Sequence, residues 1–252
     1  LSKTTTMPNI RKMFVPDFGY TIFDVDLAGA DAQVVAYEAE DDDLIDAFRR
    51  GLDVHDKNAR DLWGTTYSTL AGDAHSGPRA ARRKQTKVAV HATNYGGSAR
   101  ALAKVLGWTM REAEGFQRRW FGLHPRIKTN FHGRIERNLL ESRMVTNRFG
   151  YRRVYFDRID SVFPEALAWV PQSTVAEVSF RGGIALADAC PWVEMLLQVH
   201  DSLVFQVRHC DENRLDEIRR HLAVPIPYDE PLTIQWGLAR SRTSWGDCEG
   251  VK

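Results

Sequence analysis

Two apolar runs late in the chain, Val193–Val199 and residues 203–207, stand only three residues apart, separated by His200-Asp201-Ser202. Three residues cannot carry a chain across a sheet to a parallel neighbour, which takes about a dozen. They can only reverse it. The segment therefore reads as a β-hairpin with polar groups at its tip, and any sheet it joins is antiparallel there. A second strand, Tyr20–Leu27 (YTIFDVDL), is apolar and β-branched, and its period of two puts Asp24 and Asp26 on one face. Residues 232–238 read as a final strand.

Most of the remaining chain has helical periodicity. Ala30–Ala39 and residues 43–50 read as helices, the second stopped at Gly51. Residues 64–78, rich in Gly, Ser, Thr and Pro, read as a loop before a long helix at 79–95, which ends at Gly96-Gly97. Helices follow at 98–106 and 111–121, and Pro125 opens another that runs to 142. Short strands at 144–147 and 152–156 flank Gly150. Residues 164–189 are mostly helical, with Pro171 as a kink or boundary, and 212–222 form an amphipathic helix. With no internal repeat, this order gives an α+β fold: an antiparallel sheet with helices on one face, plus a helical subdomain.

Composition matters mainly through where the charges fall. Lys+Arg number 34 and Asp+Glu 33, a net charge of +1. Yet every charged residue from 21 to 48 is acidic, and every one from 74 to 111 is basic. A cancelling sum can hide one field suited to cations and another suited to phosphates, or simply two solvated helix faces. The 252 residues suit one or two globular domains. No run approaches the ~18 apolar residues of a membrane span, and residues 1–10 lack a signal-peptide core, so no membrane partner is expected. Cys190, Cys210 and Cys248 form no CxxC pair, which argues against a disulfide framework or structural zinc and for a reducing compartment. The chain begins with Leu, so a fragment or a processed product is expected.

Two constellations could carry chemistry. Asp26 at a strand end and Asp201 at a hairpin tip both sit on sheet elements. Neighbouring strands lie about 4.8 Å apart, so such a pair could share divalent ions, and Mg²⁺ suits one or two carboxylates plus phosphate oxygens. Taken singly, each has a plain alternative: Asp26 as a helix cap and Asp201 as a turn residue. Periodicity does not separate Asp26 from Asp24. The other constellation is Arg83, Lys87, His91 and Tyr95, spaced four apart on one helix face. It offers two cations, an imidazole and an aromatic ring, the parts of a nucleotide site. The alternative is a solvated basic face, weakened because Val88, Ala89, Val90 and Ala92 already supply a buried side.

These residues carry a resemblance. DVDLAGADAQVVAYEAEDDDLIDAFRRGLDVH (24–55), RKQTKVAVHATNYGGS (83–98) and LLQVHDSLVFQV (196–207) resemble the ordered motifs of family A DNA polymerases, the group of bacterial DNA polymerase I and many phage replicases. NRFGYRRVYF (147–156) and Gln172 also fit, and the likeness runs from LSKTTTMPNIRKMFVPD to the last strand. The resemblance implies a right-hand architecture without its thumb: an antiparallel-sheet palm at 1–55 and 143–252, with helical fingers inserted at 56–142. It implies that Asp26 and Asp201 hold two Mg²⁺ ions, with Mn²⁺ as a substitute. It also implies that His55, Arg83 and Lys87 contact the incoming dNTP triphosphate, Lys87 assisting the leaving pyrophosphate. Tyr95 and Gly96 would sit where the templating base enters, and Gln172 and His200 would face the primer terminus and minor groove of primer-template DNA. An upstream thumb or exonuclease portion, covalent or separate, and a bacterial or phage-infected host cytoplasm follow from the same likeness.

Departures from the family pattern are specific. Asp31 replaces the usual Glu that gates against the ribose 2′-OH. His91 replaces the usual Phe or Tyr that sorts sugars. Ser202 ends the third motif in place of Glu, and Pro164 and Ala168 stand where many relatives have Arg and Asn. Ser202 and Asp31 lean toward a single-subunit RNA polymerase or a ribonucleotide-tolerant enzyme; the unbroken match over 24–55 leans harder toward DNA synthesis. A non-catalytic primer-template binding subunit is the remaining alternative, and the presence of both Asp26 and Asp201 speaks against it.

Overall fold

The computed structural model describes residues 9–250. The opening LSKTTTMP of the N-terminal likeness lies outside the described residues. A 3₁₀ turn at Ile10–Met13 precedes β1 (Tyr20–Leu27). Eight helices follow: α1 (Ala30–Ala39), α2 (Asp42–Arg49), α3 (Val54–Trp63), α4 (Thr65–Ser68), α5 (Gly77–Asn94), α6 (Ala99–Leu106), α7 (Met110–Leu123) and α8 (Gly133–Ser142). The hairpin of β2 (Met144–Thr146) and β3 (Arg152–Val154) leads to α9 (Ile159–Ala189), and the hairpin of β4 (Val193–Val199) and β5 (Ser202–Arg208) to α10 (Leu215–Leu222). Short strands close the chain: β6 (Pro225–Ile226), β7 (Leu232–Thr233), β8 (Trp236–Ser241) and β9 (Glu249–Gly250). None of the described helices is long and apolar enough to cross a membrane.

Four local expectations need correction. The stretch 64–78 contains the short helix α4, and α3 before it was not anticipated. Residues 125–142 are not one uniform helix: Ile127–His132 forms a π-helical turn before α8. The helix expected from 164 begins at Ile159, and neither Pro164 nor Pro171 ends it. Residues 232–238 divide between β7 and β8, which belong to different sheets.

The chain divides into two compact units, residues 1–30 with 174–252, and residues 31–173. In the first, five antiparallel strands run in the order β4-β5-β1-β8-β9. The period of two sorts β1 cleanly. Phe23 and Val25 face a core completed by Leu203, Phe205, Leu238, Leu186 of α9 and Ile218 of α10. Phe23 and Phe205, directly opposite in the register, stack with ring centroids 5.5 Å apart. Asp24 and Asp26 point to the other face, where the apolar content is confined to a small cluster of Ile22, Val204 and Trp245.

The second unit is helical and has its own core, with Phe116 and Trp120 of α7, Phe131, Ile135 and Leu139 fully or nearly fully buried. The Trp120 indole donates to Asn94 Oδ1 at 2.7 Å, tying α7 to the end of α5. A capping box of Thr109 and Glu112 starts α7. The acidic run is largely consumed here. Buried Glu38 is paired with Arg134 and Arg148, and buried Asp41 caps α2 while facing His124 Nδ1 at 3.0 Å. Asp42 pairs with Arg126, Asp43 with Lys57 and Asp46 with Arg50. This stretch is an ion-paired scaffold rather than an open field for cations.

Candidate active site

In the sheet unit, β1 and β5 pair antiparallel with Asp26 opposite Ser202, which places Asp201 at the adjacent hairpin tip. The Val199–Ser202 pairing leaves a two-residue loop, His200-Asp201. The first position of such a tight loop favours glycine, yet His200 occupies it at φ 55. The loop is held by Gln198, which donates to the His200 carbonyl at 2.7 Å, and by Leu27 N–H on the Asp201 carbonyl at 3.4 Å. Asp26 and Asp201 line one open pocket of about 500 Å³ together with Asp24, His200, Ser202 and Arg11.

The two carboxylates of β1 have different employments. Asp24 accepts from Ser202 Oγ at 2.7 Å and from the Trp245 indole at 2.7 Å, with Arg11 at 3.7 Å. Asp26, one period further along, is exposed to the pocket. Asp24 is thus tied into the framework of this sheet face. Two carboxylates with hard oxygen donors, exposed Asp26 and half-buried Asp201, lining one open pocket fit divalent cations of the Mg²⁺ type.

In the helical unit, the stripe on α5 forms as expected, and α3 adds to it. Arg83 makes a two-pronged contact with Asp53, through Nε to Oδ2 at 2.9 Å and the terminal nitrogen to Oδ1 at 2.7 Å. Asp53 also caps α3 by accepting from Asp56 N–H at 3.0 Å. Burial would raise the Asp53 pKa, but the Arg83 and amide hydrogen bonds outweigh it and hold the carboxyl below its usual range. His55, half-buried beside them, is pushed down to about 4 by burial and by the charges of Lys87 and Arg83. Lys87 is exposed and makes no ion pair with a described residue.

Further along α5, His91 packs edge-on to Tyr95 with centroids 4.4 Å apart. Desolvation lowers the His91 pKa, against the opposing pull of Asp31. The Tyr95 hydroxyl is buried next to the Asp31 carboxylate, and burial together with that charge raises its pKa. Asp31, His91 and Tyr95 thus form one cluster. Gly96 has φ 71, and a Cβ there would press on Leu167 at 3.0 Å; at Gly97 it would lie 2.7 Å from the Ala92 carbonyl. These two positions require glycine for conformation and for close approach, and they seat the end of α5 on α9.

The two residues that the resemblance assigns to the primer side fall in different units. Gln172 is exposed on α9 in the helical unit, while His200 is exposed at the hairpin tip of the sheet unit. Asp53 was overlooked as a functional neighbour, although it lies in the G-x-D-x-H (51–55) that leads into α3. An Asp two residues before a His at a helix start is both a cap signal and a carboxylate near the stripe.

An antiparallel sheet presenting two carboxylates at a strand end and a hairpin tip, combined with a helical unit bearing a cationic stripe, defines the polymerase class of fold. The chain belongs to that class as a member of DNA polymerase family A, whose family model matches residues 2–246. It is 29% identical to DNA polymerase I of Pseudomonas aeruginosa over 252 residues, covering 94% of this chain and 26% of the relative. To DNA polymerase I of Geobacillus stearothermophilus it is 32% identical over 239 residues, covering 90% and 26%. The POL domain of Pol1 from M. smegmatis, in complex with DNA primer-template and dNTP, superposes with a TM-score of 0.78 at 23% identity, covering 95% of this chain and 42% of that one. The chain spans about a quarter of the length of these curated relatives.

Proposed function

We propose that the chain performs template-directed DNA synthesis, joining a dNTP to a primer 3′-oxygen with release of pyrophosphate. The observation that carries this reading is the shared pocket of Asp26 and Asp201 in a chain of DNA polymerase family A. Asp26 and Asp201 would hold two Mg²⁺ ions, which when bound supply Lewis-acid stabilisation to the attacking and leaving oxygens. In the helical unit, Arg83, Lys87 and His55 bind the triphosphate. Lys87, which makes no ion pair with a described residue, offers its charge to the leaving pyrophosphate. His91 and Asp31 flank the sugar, while Tyr95 and Gly96 border the templating base. Gln172 and His200 face the primer terminus and the minor groove. Under this reading residues 1–55 and 143–252 make the palm and 56–142 the fingers, an upstream thumb or exonuclease portion completes the grip on primer-template DNA, and the chain works in the cytoplasm.

The bond from Ser202 to Asp24 gives this serine a structural part in the sheet unit. Primer extension with dNTPs and Mg²⁺, set against the Asp201→Ala variant, is the direct test. Extension by a folded Asp201→Ala protein at more than about a tenth of the normal single-turnover rate would defeat the assignment, since losing a ligand of a two-metal site should cost ~10³-fold or more.

A further inference from the structure

The basic stretch 74–111 is only partly absorbed by the triphosphate stripe. Arg79 is used internally, within 3.7 Å of Asp56 and 5.0 Å from the Tyr67 ring centroid. Arg82 lies one residue from Arg83 and therefore about 100° around α5. There it meets a different set of groups in the helical unit, an open pocket of about 390 Å³ whose wall includes Trp63, Trp108, Arg111, Arg118 and Arg119. None of these residues belongs to the nucleotide cluster. We propose that this pocket binds single-stranded nucleic acid, with phosphates on the arginines and a base against the half-buried indoles.

Three observations converge on that ligand. The four guanidiniums of Arg82, Arg111, Arg118 and Arg119 make no ion pair with a described residue. The single acid in the wall, Glu112, is committed to the capping box, accepting from both the Thr109 amide and its hydroxyl at 2.8 Å. Four guanidiniums against that one carboxylate leave the pocket with a net positive charge. Its aromatic side is rigid: Trp63 donates to Thr86 Oγ1 at 2.9 Å, meets Trp108 edge-on at 5.9 Å, and has the Arg82 and Arg119 guanidiniums 4.7 and 5.3 Å from its ring centroid. Cations fixed around indole rings form a platform for stacking beside a phosphate track.

The extent of the site favours a strand over a mononucleotide. Arg111 and Arg118 are two helical turns apart on α7, ~10.5 Å along its axis, a span that reaches successive phosphates. A duplex keeps its bases stacked inside and offers the indoles no ring face. An acidic peptide supplies charge without a flat partner. The choice of nucleic acid as ligand rests on the polymerase reading; the cationic and aromatic geometry does not.

The test is fluorescence anisotropy of a short labelled oligo(dT) with EDTA present, so that neither metal nor synthesis enters. The Arg111→Gln/Arg118→Gln double variant should bind about tenfold more weakly at low salt. Its plot of log affinity against log salt should flatten by ~1.4, two single-strand phosphate contacts at ~0.7 each. Trp108→Leu should weaken binding about fivefold or more with the slope unchanged, because stacking carries no counterion. If Trp108→Leu is not folded by circular dichroism, the double arginine variant decides alone. Unchanged affinity and slope in the folded variants, or an equal loss of polyglutamate binding, would overturn the proposal. Primer extension measured in parallel separates the two claims. Extension with pocket-independent oligo(dT) binding defeats the subsite alone. Pocket-dependent binding together with extension that Asp201→Ala leaves unchanged defeats the proposed active site and leaves the subsite standing.

Discussion

The acidic stretch 38–46 of the helical unit and the carboxylates around the hairpin tip of the sheet unit are placed differently. In the helical unit, Glu38 and Asp41 are buried and paired, and Asp42, Asp43 and Asp46 each have a cationic partner. In the sheet unit, Asp26 and Asp201 border an open pocket, and their neighbour Asp24 accepts from Ser202 and Trp245. Residue type alone therefore does not mark a functional carboxylate. What marks it is a position where the fold supplies support from the side and leaves the oxygens accessible to a ligand.

The comparison breaks most sharply under substitution. Asp201→Ala should remove primer extension by ~10³-fold or more with little change in melting temperature. Glu38→Ala should do the reverse, removing the shared carboxylate partner of Arg134 and Arg148 and destabilising the helical unit by about 1–3 kcal/mol, read as a lowered denaturation midpoint. A Glu38→Ala protein of normal stability, or an Asp201→Ala protein that melts early, would erase the distinction drawn between the two sets of acids.

Lys87→Ala should lower the chemical step by ~10²-fold in pre-steady-state kinetics, the scale of losing one charge at a developing anion. An unchanged rate and dNTP affinity would make the α5 stripe a solvated face. His55 gives a pH signature. With its pKa near 4 it is neutral in the free protein at pH 7, and a bound polyanion must raise that value. Nucleotide binding then takes up a proton, so dNTP affinity should rise as pH falls toward 5.5, relative to a His55→Gln variant. Folding runs the other way: a depressed histidine contributes its full stability above the ordinary value of 6.5 and loses it as pH falls toward 4. Parallel pH profiles in the two proteins would remove His55 from the triphosphate site.

The smallest effect concerns the sugar. Asp31 has one methylene fewer than Glu, retracting its carboxylate by about one carbon–carbon bond, ~1.5 Å. Asp31→Glu should therefore strengthen the preference for dNTP over rNTP in kcat/KM by about tenfold, the low end of what one methylene is worth. Asp31→Ala should weaken it. If neither substitution moves the ratio, the cluster of Asp31, His91 and Tyr95 does not read the sugar.

Local pattern was a good guide wherever one face was apolar and the other polar. Strand β1 and the β4–β5 hairpin were legible because alternation and a short polar tip leave few alternatives. Helix α3 was missed because its buried side includes Asp56 and Asn58 as well as Val54 and Leu62, which blurs the apolar stripe. The 232–238 run was misread because its division depends on remote pairing, with Trp236–Ser241 alone joining β1. The partners of Asp24 were hidden in the same way: the Trp245 indole that donates to it lies more than two hundred positions away. The Arg82 pocket was invisible for a further reason. Sequence records that its arginines are basic, but not that the acids nearby are already engaged.

The two-pronged grip of Asp53 on Arg83 has one more implication. The guanidinium fork that would take a phosphate is already filled by an internal carboxylate, so the free protein carries a built-in competitor for its own ligand. A monoanion gains little by exchanging with it, whereas a triphosphate can replace that contact and engage Lys87 at the same time. The arrangement acts as a valency filter, in which occupancy depends steeply on how many charges the visitor brings. Its signature would be a ranking of affinities from inorganic phosphate through pyrophosphate to dNTP that compresses in Asp53→Asn, where the cap on α3 is kept and the competing charge is gone.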